Sequence, residues 1–267
     1  MRLSCQEHML GERPMTETLS IIERAGFDGV DVPSATLDAP GFAARMARSP
    51  LTLASVYSQI RAPSLLDASA AGRASATAEV IHRARQAAEF GAANLIMVPV
   101  FGPARLTIDG SEDEVSALET ALLLVALKEI AVELGDTPIR VVMEPLNREQ
   151  THFLTDPSRA ADLCRRLDEP RIATMVDTYH CHKEGQDAVA QVAAVAEQLA
   201  LMHYSDSDRL LPGEGEVDFG SVTSALANAG YDGWVGWECR KIESADDVAA
   251  LGRSVAHVRQ LEQGIVA

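Results

Sequence analysis

The feature that most constrains this chain is an eightfold alternation of short β-type runs with amphipathic helical runs. Such alternation, kept up from end to end, implies parallel strands joined by helical crossovers. Strands are expected at Arg2–Cys5, Gly29–Val32, Thr52–Tyr57, Asn94–Val98, Ile139–Met143, Ile172–Val176, Leu199–Tyr204 and Val235–Glu238. Helices are expected at Thr16–Ala25, near Gly41–Arg48, at Ser75–Phe90, Glu112–Leu134 and Asp156–Leu167, around Gln186–Glu197, and at Phe219–Ala229 and Ala245–Gln263. Gly26 and Gly91 end two of the helices, and Pro33 stops the second strand. The chain has 267 residues, close to the roughly 250 of a closed (β/α)8 barrel. The expected fold class is therefore α/β, a single (β/α)8 TIM barrel forming one domain over residues 1–267. The rival, a doubly wound open sheet, normally carries a glycine-rich phosphate loop after its first strand, and SCQEHMLGERP has no such spacing.

Charge and cysteine usage narrow the partners. A formal net charge of −16 repels phosphate backbones and anionic lipid surfaces, so neither nucleic acid nor a membrane is expected as a partner. No apolar run approaches the roughly 20 residues that span a bilayer, and MRLSCQEHML lacks the apolar core of a secretory signal. Cys5, Cys164, Cys181 and Cys239 form no CxxC pair and read as reduced thiols. A cytoplasmic protein is the expectation.

Chemistry concentrates at four strand ends. Glu144 closes VVME, Asp177 closes ATMVD, His203 lies in LMHYSDS, and Glu238 closes GWVGWE. Each is about one βα unit from the next, so all four are expected to point into the barrel mouth where active sites of this fold gather. Taken singly, such a residue serves equally well to cap a helix or pair with an arginine. Together, three carboxylates converging on one imidazole, partly withdrawn from water, repel one another and call for a cation. Oxygen-rich ligation with one imidazole suits Mn²⁺, Mg²⁺ or Co²⁺, with Mn²⁺ or Mg²⁺ favoured; Zn²⁺ is also compatible with this ligand set.

The segments EPLNR, VDTYH, HYSDSDR, PGEGEVDFG and YDGWVGWE resemble signature segments of the xylose-isomerase-like barrels, and in pattern the ketose 3-epimerases of the D-tagatose and D-psicose type. The resemblance covers chiefly Glu144 to Glu238; the first half is similar only in barrel rhythm and in GFDGVDVP. It implies that Glu144, Asp177, His203 and Glu238 ligate one divalent metal and that Glu144 and Glu238 form an acid/base pair acting on a small sugar or polyol. It also places His180 and Arg209 on substrate oxygens. Taken as residues alone, His180 serves equally well to orient a metal carboxylate, and Arg209 to neutralise Asp206 or Asp208 in its own loop. Members of this family often pair, so a homo-oligomer is compatible with it.

The chain departs from the epimerase pattern at three places. Gln150 stands where those enzymes have a glutamate contacting the reacting end of the sugar, with Glu149 one place earlier. His182 stands where they have asparagine and reads as a surface residue. The segment CQEHMLG brings His8 near the mouth, as a structural hydrogen-bonding group or a substrate contact. Trp234 and Trp237 read as packing residues between strands and helices, and Asp218 as a helix cap after the loop PGEGEV. A metal-dependent epimerase or aldose–ketose isomerase is the leading expectation. A lyase or isomerase of the same superfamily, acting on an inosose, a hydroxypyruvate-like acid or a 3-oxo-glycoside, is the near alternative. An endonuclease IV-like repair enzyme is remote, because LIMVPVFG at the fourth strand lacks the further histidine of a three-metal cluster. A non-catalytic sugar-binding barrel would need the ligand set to hold no metal.

Overall fold

The computed structural model describes residues 1–106, 109–243 and 245–266. Its strands are β1 (Arg2–Gln6), β2 (Gly29–Pro33), β3 (Thr52–Tyr57), β4 (Asn94–Met97), β5 (Arg140–Met143), β6 (Ile172–Asp177), β7 (Leu199–Tyr204) and β8 (Trp234–Trp237). Each pairs in parallel with the next, and β8 pairs with β1 through Leu3↔Val235 and Cys5↔Trp237, which closes the barrel. The helices among the described residues are α1 (Met15–Ala25), α2 (Phe42–Met46), α3 (Ala70–Glu89), α4 (Glu112–Leu134), α5 (Pro157–Leu167), α6 (Thr178–Glu184), α7 (Ala188–Val195), α8 (Phe219–Asn228) and α9 (Ala245–Val266). No helix is long and apolar enough to cross a membrane among the described residues.

Strand expectations agree with the structure to within a residue at each end. The helices differ where caps intervene. α3 begins at Ala70, earlier than its apolar periodicity, because the Ser69 hydroxyl accepts from the Gly72 amide at 3.0 Å. The helix expected around Gln186–Glu197 is α7, and a short helix absent from the sequence expectations, α6, precedes it. Asp177 caps α6 by accepting from the amides of Tyr179 and His180, Gly185 ends it at φ 67°, and Asp187 caps α7 through the Val189 amide. The two aspartate caps and the left-handed glycine between them keep α6 and α7 separate. Asp218 caps α8 through the Ser221 amide, as its sequence context predicts.

Alternation along the strands sorts the core into two parts. Val142, Met175 and Leu201 lie two residues before Glu144, Asp177 and His203, and Trp234 four before Glu238, so these apolar side chains fill the barrel beneath the four polar ones. Trp234 thus lies inside the barrel and not between strands and helices; its even spacing from Glu238 on β8 is the reason. Trp237 faces the other way, into the layer between strands and helices. Its ring meets Phe27 edge-on at 5.2 Å, and its indole N–H donates to the Ser254 hydroxyl of α9 at 3.1 Å. With its large side chain fully buried, Trp237→Ala is expected to cost about 3–5 kcal/mol of stability, with Trp237→Phe losing clearly less. Urea unfolding followed by far-UV circular dichroism checks both.

Candidate metal centre

The barrel closure brings Glu144, Asp177, His203 and Glu238 together at the carboxyl ends of β5 to β8. One ligand atom from each lies within 4.8 Å of the others. His203 is fully buried, and its Nδ1 lies 3.5 Å from Glu144 Oε1, 3.7 Å from Asp177 Oδ2 and 3.3 Å from Glu238 Oε2. Neither His203 Nδ1 nor Glu144 Oε1 makes a hydrogen bond, although both are shielded from solvent. Leaving such atoms unpaired costs about 1–3 kcal/mol each. Donors each about 2.1 Å from one octahedral cation sit about 3–4 Å apart, so the spacing and the orphaned donors fit a divalent ion among these four residues.

The electrostatics reflect the crowding of three carboxylates around one imidazole. Burial opposes a charged imidazole, yet Asp177, Glu144 and Glu238 together raise His203 well above its ordinary value. Burial, reinforced by the charge of Glu238, raises Glu144. Glu238 goes the other way: burial raises it, but the Arg209 guanidinium and His203 prevail and hold it down to about 2. Asp177 is depressed for the same reason, with Arg209 outweighing burial. The carboxylates thus favour positive charge at the centre of the cluster.

Arg209 is committed to this cluster and not to its own loop. Its Nη1 donates to Asp177 Oδ2 at 3.2 Å, to Glu238 Oε2 at 3.1 Å and to the Glu238 carbonyl at 3.0 Å, and its guanidinium lies over the Tyr179 ring at 4.1 Å. Asp208 and Arg209 both adopt left-handed backbone, at φ 56° and 58°. For a side chain as bulky as arginine that costs on the order of 1–3 kcal/mol, and it turns the guanidinium back over the mouth. Asp206, the alternative partner, is occupied by the amides of Ser207, Gly213, Gly215 and Val217, which order the loop before α8.

His180 is also buried against the cluster. Its Nδ1 accepts from the backbone N–H of Asn147 at 3.0 Å, so in the neutral ring Nε2 carries the proton. That Nε2 borders the cavity and lies 4.0 Å from Asp177 Oδ2, too far for a hydrogen bond. Arg209 Nη2 lies 3.0 Å from His180 Nε2, and both residues line the cavity.

The cavity over the cluster has a volume of about 360 Å³. Glu144, Glu238, His180 and Arg209 line one side of it; Gln150 and His8 stand at its exposed rim. Glu149 is turned away to Lys183 at 3.1 Å, so no carboxylate takes the place that Gln150 leaves neutral. His182 is exposed, as its sequence position suggests, and neither tryptophan lines the cavity. Sequence reasoning did not single out Tyr57, Arg61 and Phe101, which border the cavity from the loops and strand ends of β3 and β4. It also missed Asp31 on β2, fully buried below His203. Burial pushes that carboxyl up to about 6 despite a hydrogen bond from the Ser4 hydroxyl at 2.6 Å. Their common signal was position at or near a strand's carboxyl end.

A parallel eight-stranded barrel with an acidic, histidine-containing cluster at its mouth defines the class: a TIM barrel whose strand-end carboxylates could hold a metal ion. Residues 19–261 match the xylose isomerase-like TIM barrel family, and the chain belongs to that family. It is similar to a ketose 3-epimerase of Arthrobacter globiformis, 34% identical over 113 residues, covering 42% of this chain and 39% of that protein. It is also similar to the 3-dehydro-D-guloside 4-epimerase of Escherichia coli, 29% identical over 133 residues, covering 50% and 49%. The matched stretches thus span less than half the length of these curated relatives, which are isomerase-class enzymes. In structure, the chain is similar to the apo 3-keto-D-glucoside 4-epimerase of E. coli, with a TM-score of 0.83, 21% identity and coverage of 97% and 99% of the two chains. A D-psicose 3-epimerase solved in the presence of D-fructose has a TM-score of 0.86, 17% identity and coverage of 98% and 99%.

Two outcomes test the centre. Because a metal takes neutral imidazole and the surrounding carboxylates raise His203 above its ordinary value, Mn²⁺ affinity is expected to rise with pH, by up to about tenfold per unit; calorimetric titrations at pH 6 and pH 8 measure it. Gly236 is the second. A Cβ there would lie 2.9 Å from Asp31 Oδ2 and 3.2 Å from His203 Cδ2. Gly236→Ala is therefore expected to displace the imidazole and weaken Mn²⁺ binding by about 10–100-fold in the same titration at pH 8.

Proposed function

We propose that this protein is a divalent-metal-dependent epimerase or isomerase of a small sugar or polyol, moving a proton next to a carbonyl by means of Glu144 and Glu238. The observation that carries the reading is that these two carboxylates, from β5 and β8, border one cavity and also belong to the cluster suited to a cation. The relatives named ketose 3-epimerase and 3-dehydro-D-guloside 4-epimerase support it. Mn²⁺ or Mg²⁺ is the favoured ion, held by Glu144, Asp177, His203 and Glu238. Bound there, the cation supplies Lewis-acid stabilisation of the negative charge that develops on carbonyl and hydroxyl oxygens.

The chain's own residues account for the rest. One glutamate takes the proton from the carbon beside the carbonyl, leaving an enediolate, and the other returns a proton to the opposite face, inverting that centre. A single glutamate returning the proton to the neighbouring carbon would instead interconvert aldose and ketose. His180 Nε2–H and the guanidinium of Arg209 face the cavity as donors for substrate oxygens, and Gln150 and His8 contact the substrate from the rim.

A second reading is epimerisation beside the ketone of a 3-oxo-glycoside. The E. coli relative that acts on a 3-dehydro-guloside matches half of this chain, and the same two carboxylates would perform the step.

Incubation of the metal-loaded protein in D₂O with ketoses, keto-inositols and oxo-glycosides, followed by NMR, tests both readings. Deuterium is expected at one carbon adjacent to the carbonyl of one substrate class. Glu144→Gln and Glu238→Gln are each expected to lower the exchange rate by about 10²–10⁴-fold. Absence of exchange across the panel would contradict enediolate chemistry at this site.

A further inference from the structure

Besides the strand ends that carry Glu144 and Glu238, segments that follow β3 and β4 line the cavity. Arg61, in the segment after β3, borders the cavity together with Phe101, which follows β4. The guanidinium of Arg61 lies over the Phe101 ring at 4.3 Å. Stacking engages the flat face of the guanidinium and leaves its N–H edge available for a planar, two-pronged oxyanion contact. The segment is also tied down, since Arg105 Nη2 donates to the Arg61 carbonyl at 3.1 Å.

No carboxylate pairs with Arg61 among the described residues. Among the described residues the acidic side chains lining the cavity are Glu144 and Glu238, and both belong to the candidate metal cluster. Arg209 is the other guanidinium there, and it is already bound to Asp177 and Glu238. Arg61 is thus the guanidinium of the cavity without a carboxylate partner among the described residues. In a chain of net charge −16, an arginine stacked at a cavity wall without an acidic neighbour calls for an anion from outside the chain. Its other rim neighbours, Ser58, Gln59 and Gln150, are neutral hydrogen-bonding groups that would not repel one.

We propose that the substrate carries an anionic group at the end of its carbon chain remote from the metal-side carbonyl, and that Arg61, braced on Phe101, binds it. The inference rests on the sugar-epimerase reading above and specifies its substrate class as an acidic sugar. The anion is a carboxylate or a phosphate, the two terminal oxyanions that a guanidinium edge fits. Arg61 is a specificity-determining residue in this account; the proton transfer remains with Glu144 and Glu238.

Binding to the Mn²⁺-loaded protein, measured by calorimetry, tests this with three probes that share one carbon skeleton: D-fructose, its C6 carboxylate D-fructuronate, and D-fructose 6-phosphate. At least one acidic probe is expected to bind about tenfold or more tightly than D-fructose, and whichever does so identifies the oxyanion. In Arg61→Gln that ratio is expected to collapse toward one, with Arg61→Lys restoring only part of it, because an ammonium keeps the charge but not the fork. The ratio is also expected to shrink between 50 mM and 500 mM salt, since Arg61 is exposed. Equal or tighter binding of D-fructose, or an anion preference that survives Arg61→Gln, would overturn the proposal. Deuterium exchange with the same probes reports on the enediolate chemistry separately, so failure of the reaction and failure of the anion site give different results.

Discussion

Everything at the mouth of this barrel depends on the mutual repulsion of three carboxylates gathered around one buried imidazole. Water is largely excluded from His203 and Asp177, so solvent does not screen the charges as it would on a surface. The chain meets the repulsion in two ways. Arg209 bridges Asp177 and Glu238, and His203 and Glu144 take up protons more readily than they would in water. Neither response satisfies Glu144 Oε1 or His203 Nδ1, which stay without hydrogen bonds. A divalent ion would supply charge and coordination at once, and these four residues are placed so that they could hold one.

The rest of the fold serves this gathering. Closing the sheet through β8 and β1 brings the ends of four successive strands to one mouth. Apolar side chains two or four residues earlier, Val142, Met175, Leu201 and Trp234, plug the barrel beneath. Gly236 leaves the room that His203 and Asp31 occupy. The left-handed backbone at Asp208 and Arg209 turns a loop inward and places a cation where the carboxylates need one. Loops after β3 and β4 contribute Arg61 and Phe101 to the cavity lining.

Much of this was legible in the sequence, for physical reasons. Glu144, Asp177, His203 and Glu238 each interrupt an apolar run where a parallel strand must end, and a polar residue there has few places to point except into the barrel mouth. Asp218 sat at a cap position with a helix following. What stayed hidden depended on distances between remote segments. Whether Arg209 served Asp206 or the cluster was undecidable until the loop's four amides were seen to occupy Asp206. α6 stayed hidden because it is only seven residues long and is set by the Asp177 cap at the end of β6. Arg61 and Phe101 lie in irregular segments with no periodicity, and only barrel closure brings them to the cavity. Trp234 read as outer packing because aromatic residues usually fill that layer, whereas its spacing from Glu238 puts it inside.

The most direct measurement of the central claim is anomalous diffraction from crystals grown with Mn²⁺, collected near the manganese edge. The account predicts one strong peak in the barrel, about 2.0–2.3 Å from His203 Nδ1 and from an oxygen of each of Glu144, Asp177 and Glu238, with remaining coordination positions opening on the cavity. Manganese bound elsewhere, or a cluster that stays metal-free at saturating Mn²⁺ with His203 hydrogen-bonded to its carboxylates, would contradict it.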